Sequence, residues 1–387
     1  MSKKIMLGVT GSIAAYKSAD IARELVRTGY EVFVVMTKNA TKFISPMTLE
    51  TLTGNKVYVD MFDDEDHTKV THIKIATEFD LFLIAPATYN IIGKAANGIA
   101  DDLLSTVIAA ADPQKVIYAP AMNVNMFNNP VYQGNVKNLE AMGSTFISPD
   151  EGMLACGVYA KGRLRNIPDI LDRVEIFFCD KPLKGKKVLI TAGATREFID
   201  PIRYISNTSS GLMGVSIAKA CRNMGADVTL ILANSEYNVS SVNVVRTQTV
   251  QEMYSAVIKY YNETDIVFSA AAVSDYKPQK YSSSKIKKSD SVFTVNFQKN
   301  TDILYELGNL KKNQTLIGFA AESENLRANA LKKLNNKNLD FIIANDLSNF
   351  SSKDGKVCVI DSNDCVELDV FPKEQLAYEI IKKTVLK

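Results

Sequence analysis

KVLITAGATREFIDPIRYISNTSSGLMG, residues Lys187 to Gly214, is the stretch whose reading decides the fold. Val188 to Thr191 reads as a buried strand that runs into a Gly-punctuated loop. A long polar connection follows. A second turn, Ser209-Ser210-Gly211, then opens a helix with small residues on one face. A strand feeding a loop whose backbone amides converge at a helix start is a ready anion site. The chain opens in the same manner with IMLGVTGSIAA, Ile5 to Ala15, about 180 residues earlier. Two such openings predict two nucleotide-type α/β units in one polypeptide.

The totals agree with that division. At 387 residues the chain is long for a single core. Its 46% hydrophobic and 23% charged content is that of an ordinary globular protein. A net charge of +2, without a basic stripe interleaved with aromatics, argues against nucleic acid as a partner. The basic Ser2-Lys3-Lys4 and the apolar residues after it imitate a signal peptide. Thr10, Gly11 and Ser12 interrupt that run, and Lys17 and Asp20 follow on a helical pattern, so a first strand and turn is expected. No apolar run reaches the roughly 18 residues of a membrane span. Five cysteines (Cys156, Cys179, Cys221, Cys358, Cys365) form no C-x-x-C pair, and only His67 and His72 offer imidazole, which argues against zinc. A reducing compartment, the cytoplasm, is expected.

In the first half, Ile5 to Val9 reads as a strand, Gly11-Ser12 as a turn, and Ile13 to Thr28 as a helix with Ile21, Leu25 and Val26 at core spacing. Strand Val32 to Met36 ends in Thr37-Lys38-Asn39. A dinucleotide site would place an acid there to read the ribose. Its absence argues against NAD and for a mononucleotide whose phosphate is held by hydroxyls and backbone amides. On spacing alone, the Gly-rich turn fits a plain strand–helix connection equally well. Strand Leu81 to Ala85 ends in Pro86-Ala87-Thr88. Thr88, Asn90, Ser105 and Thr106 occupy loop or helix-start positions that suit capping or phosphate binding. Strand Val116 to Ala119 ends in Pro120-Ala121-Met122-Asn123, where Asn123 could grip a polar substrate group or cap a helix. SPDEGMLACGVYAKGRLR, Ser148 to Arg165, is punctuated by Gly152, Gly157 and Gly162 and reads as an irregular, mobile flap. Cys156 at its centre is a poor core residue and a candidate for proton delivery.

These motifs carry a resemblance. GVTGSIAAYK (Gly8 to Lys17), THIK with His72, LIAPAT (Leu83 to Thr88), PAMN (Pro120 to Asn123) and ACG (Ala155 to Gly157) stand in the order seen in flavin-dependent cysteine decarboxylases. This half resembles their phosphopantothenoylcysteine decarboxylase branch. Ser12, where many relatives carry a second Gly, and Tyr89, where an Ala often stands, remove no needed group. The resemblance implies a flavodoxin-like sheet binding FMN between protomers of a trimer. It implies FMN contacts at Gly11, Ser12, Thr37, Pro86, Thr88, Asn90, Ser105 and Met122. It makes His72 the acid/base group, Asn123 the holder of the substrate carboxylate, and Cys156 the proton donor. Oxidation of a cysteinyl thiol to a thioaldehyde places the carboxylate β to C=S, so that decarboxylation has an electron sink.

Ile167 to Phe178 reads as a helix closing the first unit, and Cys179 to Gly185 as a linker. The expected domains are therefore 1–180 and 186–387. In the second, helix Leu212 to Met224 and strand Asp227 to Leu232 repeat the opening layout. Strand Ile266 to Ser269 ends in AAAVSDY, Ala270 to Tyr276, whose small side chains suit either a base lying on the backbone or a tight helix–sheet contact. Ser282-Ser283-Ser284 and Lys285-Ile286-Lys287-Lys288 form a flexible basic loop. Lys299-Asn300-Thr301-Asp302 opens a helix, Gly318 to Glu322 ends a strand, and Lys332, Lys333 and Lys337 ride the next helix. Several cations and two Gly/Ser loops at one sheet edge suit a triphosphate and a second phosphate.

TAGATRE (Thr191 to Glu197), DPIRYISNTSSGLMG (Asp200 to Gly214), AAAVSDY, KIKK and KNLDFIIAND (Lys337 to Asp346) resemble phosphopantothenate–cysteine ligases. Ala194 and Thr301 replace prolines common in relatives and touch no reactive group. Together the two resemblances cover nearly the whole chain and match the bifunctional enzymes of coenzyme A biosynthesis. They imply a Rossmann-like ligase domain that joins 4′-phosphopantothenate to cysteine through an acyl cytidylate, with CTP and Mg2+. Lys285, Lys333 and Lys337 would contact nucleotide phosphates, and Ser209, Ser210 and Gly211 would supply backbone donors. Ala271, Ala272, Val273 and Asp275 would surround the nucleotide, together with Thr301, Asp302, Ile303, Leu304 and Phe319. Asn207 would stabilise the intermediate, and Arg203 would hold the substrate phosphate. The choice of CTP over ATP comes from the resemblance alone, and the metal ligands are not assigned. A homo-oligomer is implied, with trimeric decarboxylase and dimeric ligase contacts combining into a dodecamer. A flavin-binding regulatory protein with a vestigial ligase domain is the rival reading; it expects the Cys flap or PAMN to be lost, and both are intact.

Overall fold

The computed structural model describes residues 2–61, 71–154, 157–287, 293–322, 326–346 and 354–387. The chain divides into two compact units, Met1–Glu175 and Ile176–Lys387.

The main sheet of the first unit is built from β1 (Lys4–Val9), β2 (Glu31–Met36), β3 (Val57–Tyr58), β4 (Leu81–Ala87), β5 (Val116–Pro120) and β6 (Thr145–Phe146). Their order is β3-β2-β1-β4-β5-β6, and every neighbouring pair is parallel. β1 and β4 are continuous apolar runs, not alternating ones, because they are buried on both faces. Chain order reverses between β1 and β4, which leaves a crevice beyond their carboxyl ends. The expected first helix is divided into a 3-10 turn, Ile13–Tyr16, and an α-helix, Lys17–Arg27.

The irregular flap expected over Ser148 to Arg165 is instead an antiparallel hairpin of β7 (Asp150–Met153) and β8 (Tyr159–Arg163). One of its glycines, Gly162, relieves crowding instead of breaking structure. Gly162 lies at φ +145°, and a Cβ there would collide with the Met122 carbonyl. Its own carbonyl accepts the Met122 N–H at 3.0 Å. The hairpin is thereby rooted on the PAMN turn.

The second unit contains β9 (Lys187–Gly193), β10 (Arg196–Phe198), β11 (Tyr204–Ser206), β12 (Asp227–Ala233), β13 (Asn243–Thr247), β14 (Ile266–Ser269), β15 (Tyr276–Pro278), β16 (Phe297–Lys299), β17 (Thr315–Glu322), β18 (Phe341–Asp346), β19 (Asp354–Ile360) and β20 (Cys365–Pro372). The main sheet runs β13-β12-β9-β14-β17-β18-β19-β20. It is parallel through β18 and antiparallel at its last two pairings. Helices Leu212–Asn223 and Lys373–Thr384 pack on one face through Ile217, Cys221, Leu376 and Ile380. Helix Val250–Tyr261 covers the other through Met253 and Val257. β10–β11 and β15–β16 are separate two-stranded ribbons.

The five cysteines were expected to be reduced, but Cys358 and Cys365 are joined across β19–β20 with a Cα–Cα separation of 6.3 Å. The hairpin register explains the pairing. Cys358 lies opposite Glu367, and Cys365 lies two residues away on the same face. No helix among the described residues is long and apolar enough to cross a membrane.

Candidate active sites

The crevice beyond β1 and β4 is fastened by Thr10, which is buried. Its hydroxyl donates to the Pro86 carbonyl at 2.7 Å and accepts the Thr88 N–H at 3.1 Å. The two strand ends are thus locked together at the floor of a cavity of about 640 Å³, a size suited to a cofactor. Of the residues expected to contact FMN, Gly11, Ser12, Thr37, Thr88, Asn90 and Met122 line it. A Cβ on Gly11 would stand 2.5 Å from the Asn39 Cβ, so only glycine lets the first turn approach the end of β2. A floor of small residues, hydroxyls and turn amides fits the phosphate and polar ring edge of FMN.

Pro86 and Ser105 are not in that wall. Pro86 contributes through its carbonyl to Thr10. Ser105 closes a capping box with Asp102, accepting the Asp102 N–H at 3.0 Å and donating its own N–H at 2.8 Å. The sequence reading missed Lys94, Asp101 and Asp102, which do line the cavity. Lys94 binds Asp101 at 2.5 Å and Asp102 at 2.8 Å. Burial alone would lower its pKa, but the bonds to both carboxylates raise it.

Asn123 faces a neighbouring cavity of about 400 Å³, which shares Ser12 and Met122 with the first. Its Oδ1 accepts the Asn125 N–H at 2.8 Å and caps helix Val124–Phe127. Asn123 thus caps a helix and also lines the cavity. Lys17 and Arg163 also line this cavity and were not anticipated. Burial, then the Arg163 charge, lower the Lys17 pKa, and Asp150 offsets part of the effect. Cys156 and the side chain of His72 lie outside the described residues; the His72 backbone is in the first turn of helix Thr71–Glu78.

In the second unit a cavity of about 730 Å³ lies at the carboxyl ends of β14 and β17. The Ala270–Ala272 strand end is pinned to β9: Ala270 N–H donates to the Thr191 carbonyl at 3.1 Å and Ala272 N–H to the Gly193 carbonyl at 2.8 Å. Ala271, Ala272, Val273 and Asp275 form one wall, with Asn207 beside them. Asn207 Nδ2 donates to the Val273 carbonyl at 3.1 Å. Thr301, Asp302, Ile303 and Leu304 supply the helix-start wall, and Phe319, Lys333 and Lys337 complete the set. Asp302 caps helix Ile303–Leu310 by accepting the Tyr305 N–H at 3.1 Å and binds Lys337 at 2.7 Å.

Ser209, Ser210 and Gly211 line a smaller cavity of about 200 Å³, which shares Ala271, Ala272 and Phe319 with the larger one. Gly211 is left-handed, φ +83°, and a Cβ there would meet the Gly193 backbone at 3.0 Å. The loop N–H groups of Gly211 and Leu212 donate to the Ser209 and Ser210 hydroxyls over 3.3 and 3.4 Å. Lys373 also lines this cavity. Burial lowers its pKa, and it makes no ion pair or side-chain hydrogen bond among the described residues. It was missed because it lies far along the chain, as the first residue of helix Lys373–Thr384.

Lys285 is exposed and lies in neither cavity wall; Lys288 of the same run lies outside the described residues. Arg203 already holds two partners through one of its nitrogens. Its Nη1 binds Asp200 Oδ2 at 2.5 Å and donates to the Ile286 carbonyl at 3.2 Å. Asp200 is inaccessible to solvent. Its carboxylate also accepts N–H bonds from Ile202 (2.9 Å), Arg203 (2.8 Å) and Ile286 (3.2 Å). Burial would raise its pKa, but these bonds outweigh it and hold the group at about 2. Asp200 and Arg203 together clasp the residue next to Lys285.

Two cavities at switch points of parallel sheets, one suited to a flavin and one to a nucleotide, define a two-domain enzyme of mononucleotide and nucleotide chemistry. Residues 1–178 match the family described as Flavoprotein, and residues 183–386 match the DNA/pantothenate metabolism flavoprotein C-terminal domain. The coenzyme A biosynthesis bifunctional protein CoaBC of Borreliella burgdorferi is 47% identical over 386 residues, covering 98% of each chain. The protein of the same name from Bacillus subtilis is 40% identical over 392 residues, covering 99% of this chain and 96% of the relative. A crystal structure of the C-terminal domain of a CoaBC protein aligns at 38% identity with a TM-score of 0.47, over 53% of this chain and 96% of that one. The chain belongs to the family of bifunctional coenzyme A biosynthesis proteins. It is an enzyme with a flavoprotein unit and a ligase unit.

Proposed function

We propose that the second unit joins cysteine to 4′-phosphopantothenate at the expense of CTP, and that the first unit converts the product to 4′-phosphopantetheine. The observation that carries this reading is the gathering of Asn207, the Ala271–Val273 strand end, Asp302 and Lys337, from separated segments, around one cavity. The strand order β13-β12-β9-β14-β17-β18 supports a Rossmann-like reading of this unit. In the first unit, setting aside the two-residue edge strand β3 leaves the flavodoxin-like order.

In the ligase step a carboxylate oxygen of phosphopantothenate attacks the α-phosphorus of CTP, and the bond to pyrophosphate breaks. The cysteine amine then attacks the acyl carbon, loses a proton and expels CMP. Lys285, Lys333 and Lys337 would neutralise phosphate oxygens, with Lys337 exchanging Asp302 for one of them. The long bonds of the Ser209–Gly211 turn leave its amides able to turn toward an anion. Asn207, held by the Val273 carbonyl, would stabilise the acyl cytidylate. Magnesium would arrive with CTP. No cluster of three or more His, Cys, Asp or Glu exists among the described residues, so the phosphates and Asp275 would carry the ion.

In the decarboxylase step, bound FMN supplies a two-electron oxidant for the substrate thiol and later returns the electrons. Asn123 would hold the carboxylate so that its C–C bond breaks with release of carbon dioxide. His72 would move the thiol proton, and Cys156 would protonate the resulting enethiolate carbon. Exposed Ile13, Tyr16, Met47 and Tyr159 in the first unit support a trimer contact. Exposed Tyr204 and Tyr276 on the ribbons of the second, with Ile202 in the turn between β10 and β11, support a dimer contact, and the two together would build a dodecamer. The cytoplasm is the expected setting. The test is a single incubation of the purified protein, which should be yellow, with phosphopantothenate, cysteine, CTP and magnesium. Phosphopantetheine should form; a colourless protein that makes none contradicts the reading.

A further inference from the structure

The 400 Å³ cavity beside the flavin site holds two cations that no ion pair among the described residues neutralises. Lys17 comes from the first turn of helix Lys17–Arg27 and Arg163 from the end of β8. Neither makes an ion pair or side-chain hydrogen bond among the described residues. The carboxylate that Lys17 feels, Asp150, is already held by Arg165 at 3.0 Å and by the Asn166 N–H at 2.9 Å. Lys17 is half-buried and Arg163 exposed, and two like charges on one cavity wall repel unless an anion lies between them. The Lys17 pKa is lowered first by burial and second by the Arg163 charge.

We propose that Lys17 and Arg163 form the subsite for the phosphate monoester of the decarboxylase substrate, with Asn123 in the same cavity at the carboxylate end. The proposal rests on the decarboxylase reading of this unit. In that reading the ligand has two anionic ends, a carboxylate that leaves as carbon dioxide and a phosphate that stays. A pair of cations on the departing carboxylate would stabilise the ground state more than the transition state, in which that charge is dispersing. An amide such as Asn123 holds it with less of this penalty. A phosphate monoester keeps its charge throughout and suits a guanidinium fork and an ammonium. The sequence concealed the site because the two residues are far apart and each alone reads as a solvated charge.

Wild-type protein, Lys17→Gln, Lys17→Arg and Arg163→Gln should be compared on 4′-phosphopantothenoylcysteine and on pantothenoylcysteine, with carbon dioxide release as the readout. In the wild type, kcat/KM should favour the phosphorylated substrate by about ten- to a hundredfold. Each Gln variant should cut that preference about tenfold, chiefly through KM, while Lys17→Arg retains most of it. Visible flavin absorption and the ligase rate report whether each variant is folded. The wild-type preference needs no substitution, so a variant that fails to fold leaves the decision with it. A wild type indifferent to the phosphate overturns the subsite, as do variants that lose both substrates in equal proportion. A wild type that releases carbon dioxide from neither overturns the decarboxylase reading, and the subsite with it.

Discussion

Replacing Asp200 by Asn should unfasten the Lys285 loop while leaving the walls of both ligase cavities unchanged. The carboxylate receives N–H bonds from Ile202, Arg203 and Ile286 and the Arg203 guanidinium at 2.5 to 3.2 Å. Asn is the same size, but its amide nitrogen must face one pair of these donors. Losing hydrogen bonds to a charged group costs about 1.5–3 kcal/mol. Arg203 is 40% exposed and recovers part of this by hydration. The clasp should therefore weaken by about ten- to a hundredfold. Exchange of labelled pyrophosphate into CTP in the presence of phosphopantothenate reads the step that Lys285 is expected to serve. Its kcat should fall by about that factor with a smaller change in the KM for CTP. Decarboxylation in the other unit is the internal control. Wild-type exchange in a folded Asp200→Asn protein would refute the clasp, and so would an equal loss in both activities. The pH dependence has a definite sign. A carboxyl held near 2 contributes fully above the ordinary aspartate value of about 4 and loses its contribution as pH falls toward 2. Asp200→Asn should remove that portion of the protein's acid sensitivity, measured as the acid-unfolding midpoint.

Two other substitutions divide the units. Gly11→Val places a side chain against Asn39, so the purified protein should lose its visible flavin absorption while keeping pyrophosphate exchange; retained flavin would mean that the turn does not floor the cofactor site. Lys373→Met removes a cation of the smaller ligase cavity that has no ion pair among the described residues, and should raise the KM for CTP about tenfold with decarboxylation unchanged. An unaltered KM would exclude Lys373 from the phosphate site.

The parts legible in the sequence were those carried by contiguous motifs. Strand, turn and helix are adjacent in the chain at Ile5–Lys17 and at Lys187–Gly214, so apolar runs and turn glycines expose both crevices. Lys299 to Asp302 were readable as a helix opening, a local pattern, although the cap expected at Asn300 or Thr301 is Asp302. The residues that escaped are assembled by distant packing. Lys373 reaches the Ser209–Gly211 turn only because the last helix folds back on the sheet. Of the two partners of Arg203, Asp200 is three residues away, but the Ile286 carbonyl comes from a distant loop and is not visible in local sequence. The glycines of the flap misled for a related reason. Gly162 fits against Met122, a neighbour that only the folded chain supplies.

The central claim is that one chain couples a nucleotide-driven ligation to a flavin-driven decarboxylation. It is tested most directly by measuring carbon dioxide and pyrophosphate released from phosphopantothenate and cysteine, with and without CTP. The account predicts carbon dioxide and pyrophosphate in equal amounts when CTP is present, and neither when it is withheld. Carbon dioxide without CTP, or pyrophosphate with no carbon dioxide, would contradict it.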